Sequence, residues 1–245
     1  YIWMKDYLQL DGLVYKLVPI KTKNKSLYEM GRIDGDLMYD IVKKWEWGNS
    51  GDPKIYLDPQ TRSQSLSFRG NMARLTETLI EENKIDKAKD VIDIAMKNMP
   101  VEGFGYYAFV EPFVDGYYKV GESQKARDLF QELKNKYQER LDYYAGIPLD
   151  EQYTKLDDIL DAMQGYRRNI DILVDNKDKD IAEKETLIFN EYIDKFSHFY
   201  KKEDVEHSDI PPIPDGNPDV TDSIQINDTT SEEVIDSMVI PEAIN

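Results

Sequence analysis

Cysteine is absent from the sequence and histidine is scarce, and both facts limit the chemistry open to the chain. Without cysteine there are no disulfides and no thiolate metal site. Histidine occurs only at His198 and His207, which excludes a centre built from three imidazoles. No apolar run approaches the roughly 20 residues of a membrane-spanning helix. We therefore predict no metal, no cofactor and no direct span of a bilayer.

Basic residues are outnumbered, with 31 Lys and Arg against 48 Asp and Glu, for a net charge of −17. Nucleic-acid binding needs clustered basic side chains that displace phosphate counterions, and no such cluster occurs. The segment Gly103-Phe-Gly105 lacks the third glycine and the Lys-Ser/Thr of a phosphate-binding loop. We expect no nucleic-acid partner and no nucleotide.

The acidic excess lies mainly at one end of the chain. Residues 203–245 hold 12 acidic residues and no Lys or Arg, together with five of the 11 prolines. The other 202 residues carry 36 acidic and 31 basic side chains, a charge of −5. Such composition predicts an acidic, extended tail over 203–245 that does not form a packed domain.

An internal repeat with an offset of 38 residues occupies 63–146. Its aligned positions are Met72, Leu75, Thr76, Leu79, Ala88, Ile92 and Ala95 in the first copy, and Val110, Phe113, Val114, Tyr117, Ala126, Phe130 and Leu133 in the second. Apolar residues three and four apart make one helix face, and Asn83 and Gly121 suit a left-handed turn between helices. The pattern resembles the tetratricopeptide repeat, a helix–turn–helix unit. Pro112 implies that its helix either begins near Glu111 or is kinked.

The flanking segments differ from the repeat in character. Residues 1–62 predict a mixed α/β part, with a strand over 12–20, a helix capped by Asp36 and an extended piece over 54–58. Residues 147–202 predict two amphipathic helices that cap the repeats. The predicted fold is therefore mostly α, with about two tetratricopeptide-like repeats, a capping helical hairpin, a small mixed N-terminal part and an acidic tail.

The repeats suggest a peptide-binding groove along the concave face of their first helices. The residues predicted to face it are Ala73, Glu77 and Ile80 in the first copy and Glu111, Asp115 and Tyr118 in the second. These side chains are acidic or apolar, so the expected ligand is a basic or apolar peptide. The alternative is that two repeats and a cap form a rigid spacer.

No catalytic constellation stands out among the many carboxylates. Asp157-Asp158 suits a solvated helix face. The acids at Asp175, Asp178 and Asp180 lack the spacing of a calcium loop and suit a helix–helix connection. His198 lies among aromatic residues, which suits a surface or packing role. We predict that this chain is not itself an enzyme.

One catalytic alternative remains, a carbohydrate-active hydrolase. Aromatic side chains beside acids can stack on and cleave sugars, and 45–58 contains Trp45, Trp47, Glu46, Asp52 and Asp58. That hypothesis requires both tryptophans in an exposed cleft with two carboxylates about 5–10 Å apart. If the segment instead packs one module against its neighbour, both tryptophans are buried.

Three stretches together, at 7–22, 47–58 and 68–75, resemble the C-terminal soluble region of a multi-pass membrane protein family of Bacteroidetes. That family is of unknown function and is related to the animal transmembrane O-mannosyltransferases. The resemblance covers about residues 1–145. It implies that membrane helices precede Tyr1 and that transferase chemistry belongs to them.

The resemblance also implies a role and a place for this chain. It would be a non-catalytic protein-interaction or bracing domain, tethered on the periplasmic side of the inner membrane by those upstream helices. Its partners would be a protein or peptide and its own membrane region. The alternative is a freestanding repeat scaffold that binds a basic or apolar peptide.

The tail contains three candidate modification sites, at Ser223, Thr229 and Ser237. Each follows an aspartate and precedes an apolar residue or threonine, which resembles the O-glycan acceptor triplet of Bacteroidetes. Chance is the alternative, because these residue types are common in an acidic tail. An intact mass equal to the bare polypeptide, measured on protein from the native host, would remove this prediction.

Overall fold

The structure is a computed structural model, and it describes residues 2–22 and 30–199. A 3-10 helix over Ile2–Tyr7 leads into a hairpin of β1 (Leu8–Asp11) and β2 (Val14–Leu17). β3 (Arg32–Ile33) pairs with β1 in parallel, so the sheet order is β2-β1-β3. The strand predicted over 12–20 is only partly correct, because Gly12 at φ +67 makes a turn between two strands.

Nine α-helices follow in the described part of the chain. They are α1 (Gly35–Val42), α2 (Pro59–Glu81), α3 (Ile85–Asn98), α4 (Val101–Phe104), α5 (Glu111–Lys119), α6 (Ser123–Gly146), α7 (Leu149–Thr154), α8 (Leu156–Asp175) and α9 (Lys179–Lys195). The prediction of a mostly helical fold with a small mixed N-terminal part is thus confirmed. Within 2–22 and 30–199, none of the helices has both the length and the apolar content to cross a membrane.

The start of α1 corrects one sequence prediction, and the start of α2 has a similar aspartate cap. α1 is capped by Asp34, whose carboxylate accepts from the backbone N–H of Leu37 at 3.1 Å. The predicted cap, Asp36, lies instead in the first turn and forms ion pairs with two lysines. Asp58 caps α2, and Pro59 is the first residue of this helix.

Three helical hairpins, α2/α3, α5/α6 and α8/α9, share one turn geometry. The left-handed residues are Asn83, Gly121 and Lys177. After each of them, a backbone N–H reaches a carbonyl five residues earlier, with the pairs Lys84–Leu79, Glu122–Tyr117 and Asp178–Leu173 at 2.7 to 2.9 Å. The left-handed turns expected at the first two positions are present.

The third hairpin follows the same local plan, which the sequence pattern did not predict. Ala182 is buried at the place relative to the turn that Ala88 and Ala126 occupy in the other hairpins. A small side chain there lets the second helix approach the first closely. Pro112 is the second residue of α5, so this helix begins at Glu111.

Candidate functional site

A groove runs between α2 and α5, where the sequence predicts a concave surface. Its cavity measures about 660 Å³. From α2 it is lined by Gly70, Ala73, Glu77 and Ile80, which recur at helical spacing and therefore lie on one face. The opposite wall comes from Ala108, Phe109, Pro112, Asp115 and Lys119.

Small residues at the floor hold the two helices close together. Gly116 and Thr76 are both buried and both line the cavity. A Cβ added at Gly116 would meet Ile92 at 2.9 Å and Thr76 at 3.4 Å. The floor of the groove is therefore narrow and closed by packed side chains.

A second cavity of about 420 Å³ extends the groove toward α8. It shares Ala108, Pro112, Asp115 and Lys119 with the first and adds Glu111, Arg168, Ile172, Asp175 and Asn176. The two cavities are therefore neighbours along α5. Together they form an elongated depression across three helices.

The predicted groove residues divide into two groups. Ala73, Glu77, Ile80 and Asp115 line the first cavity together. Glu111 lines only the second, and its buried carboxylate accepts from the Tyr137 hydroxyl at 2.7 Å and from Arg168 Nε at 2.8 Å. Glu111 therefore has a structural role beside the groove.

Tyr118 lines neither cavity. Its hydroxyl donates to Asp178 at 2.7 Å, at the turn between α8 and α9. Burial, with a further contribution from this carboxylate, raises the pKa of Tyr118. The side chain thus joins α5 to the third hairpin.

Several residues that line the two cavities were not predicted from the sequence. Phe109 lies in a 3-10 helix over Tyr107–Phe109 that precedes α5, so the α-helical spacing that predicted the other residues does not reach it. Arg168 carried no such signal either, because it comes from α8, 57 positions after its partner Glu111. Only the packing of the third hairpin brings it to the groove.

The cations around the groove already have partners. Arg74 donates to the carbonyls of Met30 and Gly31 at 3.0 and 2.9 Å. Lys119 pairs with Asp115, and Arg168 pairs with Glu111. Glu77 and Glu81 add negative charge along the α2 wall. The first cavity is therefore mainly apolar, with three carboxylates and two cations among its described lining residues.

The hydrolase hypothesis requires two carboxylates beside Trp45 and Trp47. Both tryptophans are half-buried and line a cavity of about 330 Å³, and Glu46 is the only carboxylate among its described lining residues. Asp58 is engaged in capping α2, where a hydrogen bond from Thr61 lowers the pKa of its carboxyl. Asp52 accepts from the backbone N–H of Lys54 at 2.9 Å.

The remaining residues considered in the sequence analysis, His198 and Asp178, pack against other parts of the fold. His198 lies in a 3-10 helix with its ring centroid 4.2 Å from that of Phe199. Asp178 is buried in the connection expected between two helices. Among residues 2–22 and 30–199, no group of three or more His, Asp or Glu is placed to hold a metal ion. Ser223, Thr229 and Ser237 lie outside the described residues.

Residues 68–75, one of the three stretches that carry the family resemblance, join the sheet to the helices. The Asn71 amide donates to the Gly12 carbonyl at 2.8 Å, and Arg74 reaches the Tyr15 hydroxyl at 3.1 Å. These contacts dock the hairpin of β1 and β2 against α2. The segment therefore fixes the N-terminal sheet beside the groove.

Comparison with known proteins gives one match. Residues 1–37, which include all three strands, match the family model of TMEM260-associated domain 2. No curated protein and no solved structure matches the chain.

Proposed function

We propose that this chain is a non-catalytic protein-interaction or bracing domain of a membrane glycosyltransferase-like protein. Upstream membrane helices would tether it on the periplasmic side of the inner membrane. The family-model match over residues 1–37 supports this proposal at the N-terminal sheet. The resemblance to soluble regions of related membrane proteins supports it for residues 38–145.

The groove between α2 and α5 is the observation that carries the interaction role. It is elongated, closed at its floor and continuous with the cavity against α8. Stacked hairpins with one turn geometry are also what tetratricopeptide-like repeats would produce. A rigid scaffold of this kind can hold such a groove open for a peptide.

The charge of the groove selects the class of peptide. Three carboxylates, Glu77, Glu81 and Asp115, line the first cavity against two cations, Arg74 and Lys119, so the formal charge of its lining is −1. An acidic peptide would meet repulsion, and a basic or apolar peptide would not. We therefore propose a ligand that combines apolar side chains with lysine or arginine.

Charge reversal in the groove tests this proposal. We expect Glu77→Lys/Asp115→Lys to weaken binding of a lysine-containing apolar peptide about tenfold or more, since the formal charge of the cavity lining changes from −1 to +3. Affinities would be measured by calorimetry over a panel of basic, neutral and acidic peptides.

Asp180→Lys/Glu183→Lys is the matched control. It changes the net charge equally, on exposed positions of α9 away from the groove. If the groove variant binds as tightly as the unmodified chain, or if the control weakens binding equally, the groove proposal is wrong.

The groove alone supports a freestanding repeat scaffold equally well. The coding sequence upstream of Tyr1 separates the two hypotheses. Several long apolar runs there would favour the membrane protein, whereas a signal peptide alone would favour the scaffold.

A further inference from the structure

An aromatic corner lies apart from the groove, between the loop after α1 and the first half of α2. We use this name for Trp45, Trp47 and Phe68, which line the cavity of about 330 Å³. On α2, Thr61, Gln64, Ser65 and Phe68 follow the spacing i, i+3, i+4, i+7 and therefore share one face. The buried side chains of Met99 and Phe104 also line the cavity.

The three rings touch one another. Ring centroids are 5.1 Å apart for Trp45–Phe68, 5.5 Å for Trp47–Phe68 and 5.6 Å for Trp45–Trp47. All three are half-buried, so each keeps part of its surface open. A cage for a cation needs a gap between ring faces, and rings in direct contact leave none. The ring planes are inclined to one another by 55 to 80°, so the corner is an edge-to-face cluster, and parts of its rings line the cavity.

Two polar groups at this cavity are available to a ligand. Glu46 and Gln64 are exposed, and neither side chain has a hydrogen-bond partner in the described part of the chain. By contrast, Ser50 donates to the Asn98 carbonyl at 2.8 Å and Ser65 to the Arg62 carbonyl at 2.7 Å. A ligand here must donate to a carboxylate and can both donate to and accept from an amide.

We propose that the aromatic corner binds a neutral pyranose unit of a carbohydrate. The apolar C–H face of such a ring can lie on the aromatic surface, while its hydroxyls donate to Glu46 and exchange hydrogen bonds with Gln64. The cavity volume suits one small ring. This site is separate from the groove and does not depend on the function proposed for it.

Other ligands match these groups less well. A proline-rich segment can also lie on aromatic rings, but proline has no N–H to donate to Glu46. An acidic sugar would be repelled by the same carboxylate. Neutral sugar hydroxyls satisfy both polar groups at once.

Tryptophan fluorescence can test the proposal in the full chain. Trp3 is 79% exposed and lies outside the cavity, so a Trp3→Phe variant leaves the two corner tryptophans as the reporters. This variant would be titrated with methyl glycosides of neutral hexoses, a polyproline peptide and tetramethylammonium. We expect a saturable fluorescence change with a glycoside and none with the peptide or the cation.

Substitutions in the same background locate the site. Gln64→Ala and Glu46→Ala should each weaken glycoside binding about tenfold by removing a hydrogen bond. Gln60→Ala on the same helix lies outside the cavity and should leave the affinity unchanged. Circular dichroism would show that all three variants remain folded.

Three results would overturn the proposal. The first is no response to any glycoside up to about 50 mM, a range that covers weak single-sugar affinities. The second is an equal or stronger response to the peptide or the cation. The third is an equal loss of affinity in Gln60→Ala and Gln64→Ala.

Discussion

At the scale of single residues, Arg69 shows how one buried side chain organises a junction. It is fully buried, and its Nη atoms donate to the carbonyls of Gly105 at 2.6 Å and of Met99 at 2.7 Å. Burial lowers the pKa of Arg69 to about 10, so the guanidinium stays charged at neutral pH. These bonds tie α2 to the chain on both sides of α4.

Replacing Arg69 should therefore cost stability. We expect Arg69→Met to lower the free energy of unfolding by about 3 kcal/mol, because buried carbonyls lose their donors. Arg69→Lys should cost less, since one ammonium keeps part of the bonding. Urea denaturation of both variants measures this, and a methionine variant as stable as the unmodified chain would contradict the structural role.

Gly165 on α8 offers a second residue-scale prediction. A Cβ at this position would collide with the ring of Tyr137, which is buried and hydrogen-bonded to Glu111. We expect Gly165→Ala to destabilise the fold by about 1–3 kcal/mol through overpacking. Gly146→Ala is the matched control, because nothing lies within 4 Å of its added Cβ. Thermal unfolding should separate the two variants, and equal melting temperatures would contradict the prediction.

At the scale of elements, carboxylates bonded to both a tyrosine and a cation recur between packed helices. Asp178 accepts from Tyr118 and Arg127, and Glu185 accepts from Tyr166 and Lys134. The same arrangement occurs at Asp90, Asp93, Glu111 and Asp142. For Asp178, Glu185 and Glu111, the tyrosine hydroxyl and the cation satisfy a carboxylate that packing has removed from water, whereas Asp142 stays exposed.

A double-mutant cycle would measure one such link. We expect Tyr118→Phe and Asp178→Asn to show a coupling energy of about 1 kcal/mol in urea denaturation, because they share one partly buried bond. The exposed pair Lys155–Asp158 serves as the control and should couple by about 0.5 kcal/mol or less. Coupling no larger than in this control would mean that the tyrosine link does not join the elements.

At the scale of the whole molecule, tyrosines packed between the helices make the stability of the fold sensitive to alkaline pH. Burial, aided by neighbouring carboxylates, raises the pKa values of tyrosines on α5, α6, α8 and α9, namely Tyr117, Tyr118, Tyr137, Tyr166 and Tyr192. Their protonated forms are thus favoured by folding. The stability that these tyrosines contribute is fully present below their unfolded pKa of about 10. It is lost as the pH rises toward their higher pKa values in the folded chain.

We therefore expect the free energy of unfolding to fall steeply above about pH 10. Urea denaturation at several alkaline pH values would measure the fall, and tyrosinate absorbance would show whether ionisation accompanies unfolding. If the tyrosines ionise fully while the chain stays folded, they do not link stability to pH.

Sequence patterns predicted much of the helical fold and placed several cavity-lining residues on a common helix face. Apolar spacing and the turn residues Asn83 and Gly121 indicated two hairpins, because both signals are local properties of a helix and its end. The same spacing placed Ala73, Glu77 and Ile80 on one face. Helical spacing could not show that Tyr118 of α5 lies outside the groove, where its hydroxyl donates to Asp178, 60 positions later.

The sequence by itself determined the charge distribution, the absence of cysteine chemistry and the predominance of amphipathic helices, since each depends only on residue type and spacing. Tertiary structure alone decided that Arg168 borders the groove and that Phe68 meets Trp45 and Trp47. Such meetings depend on how helices pack across long separations in the chain. Helical periodicity specifies which face a residue occupies, but not which distant element covers that face.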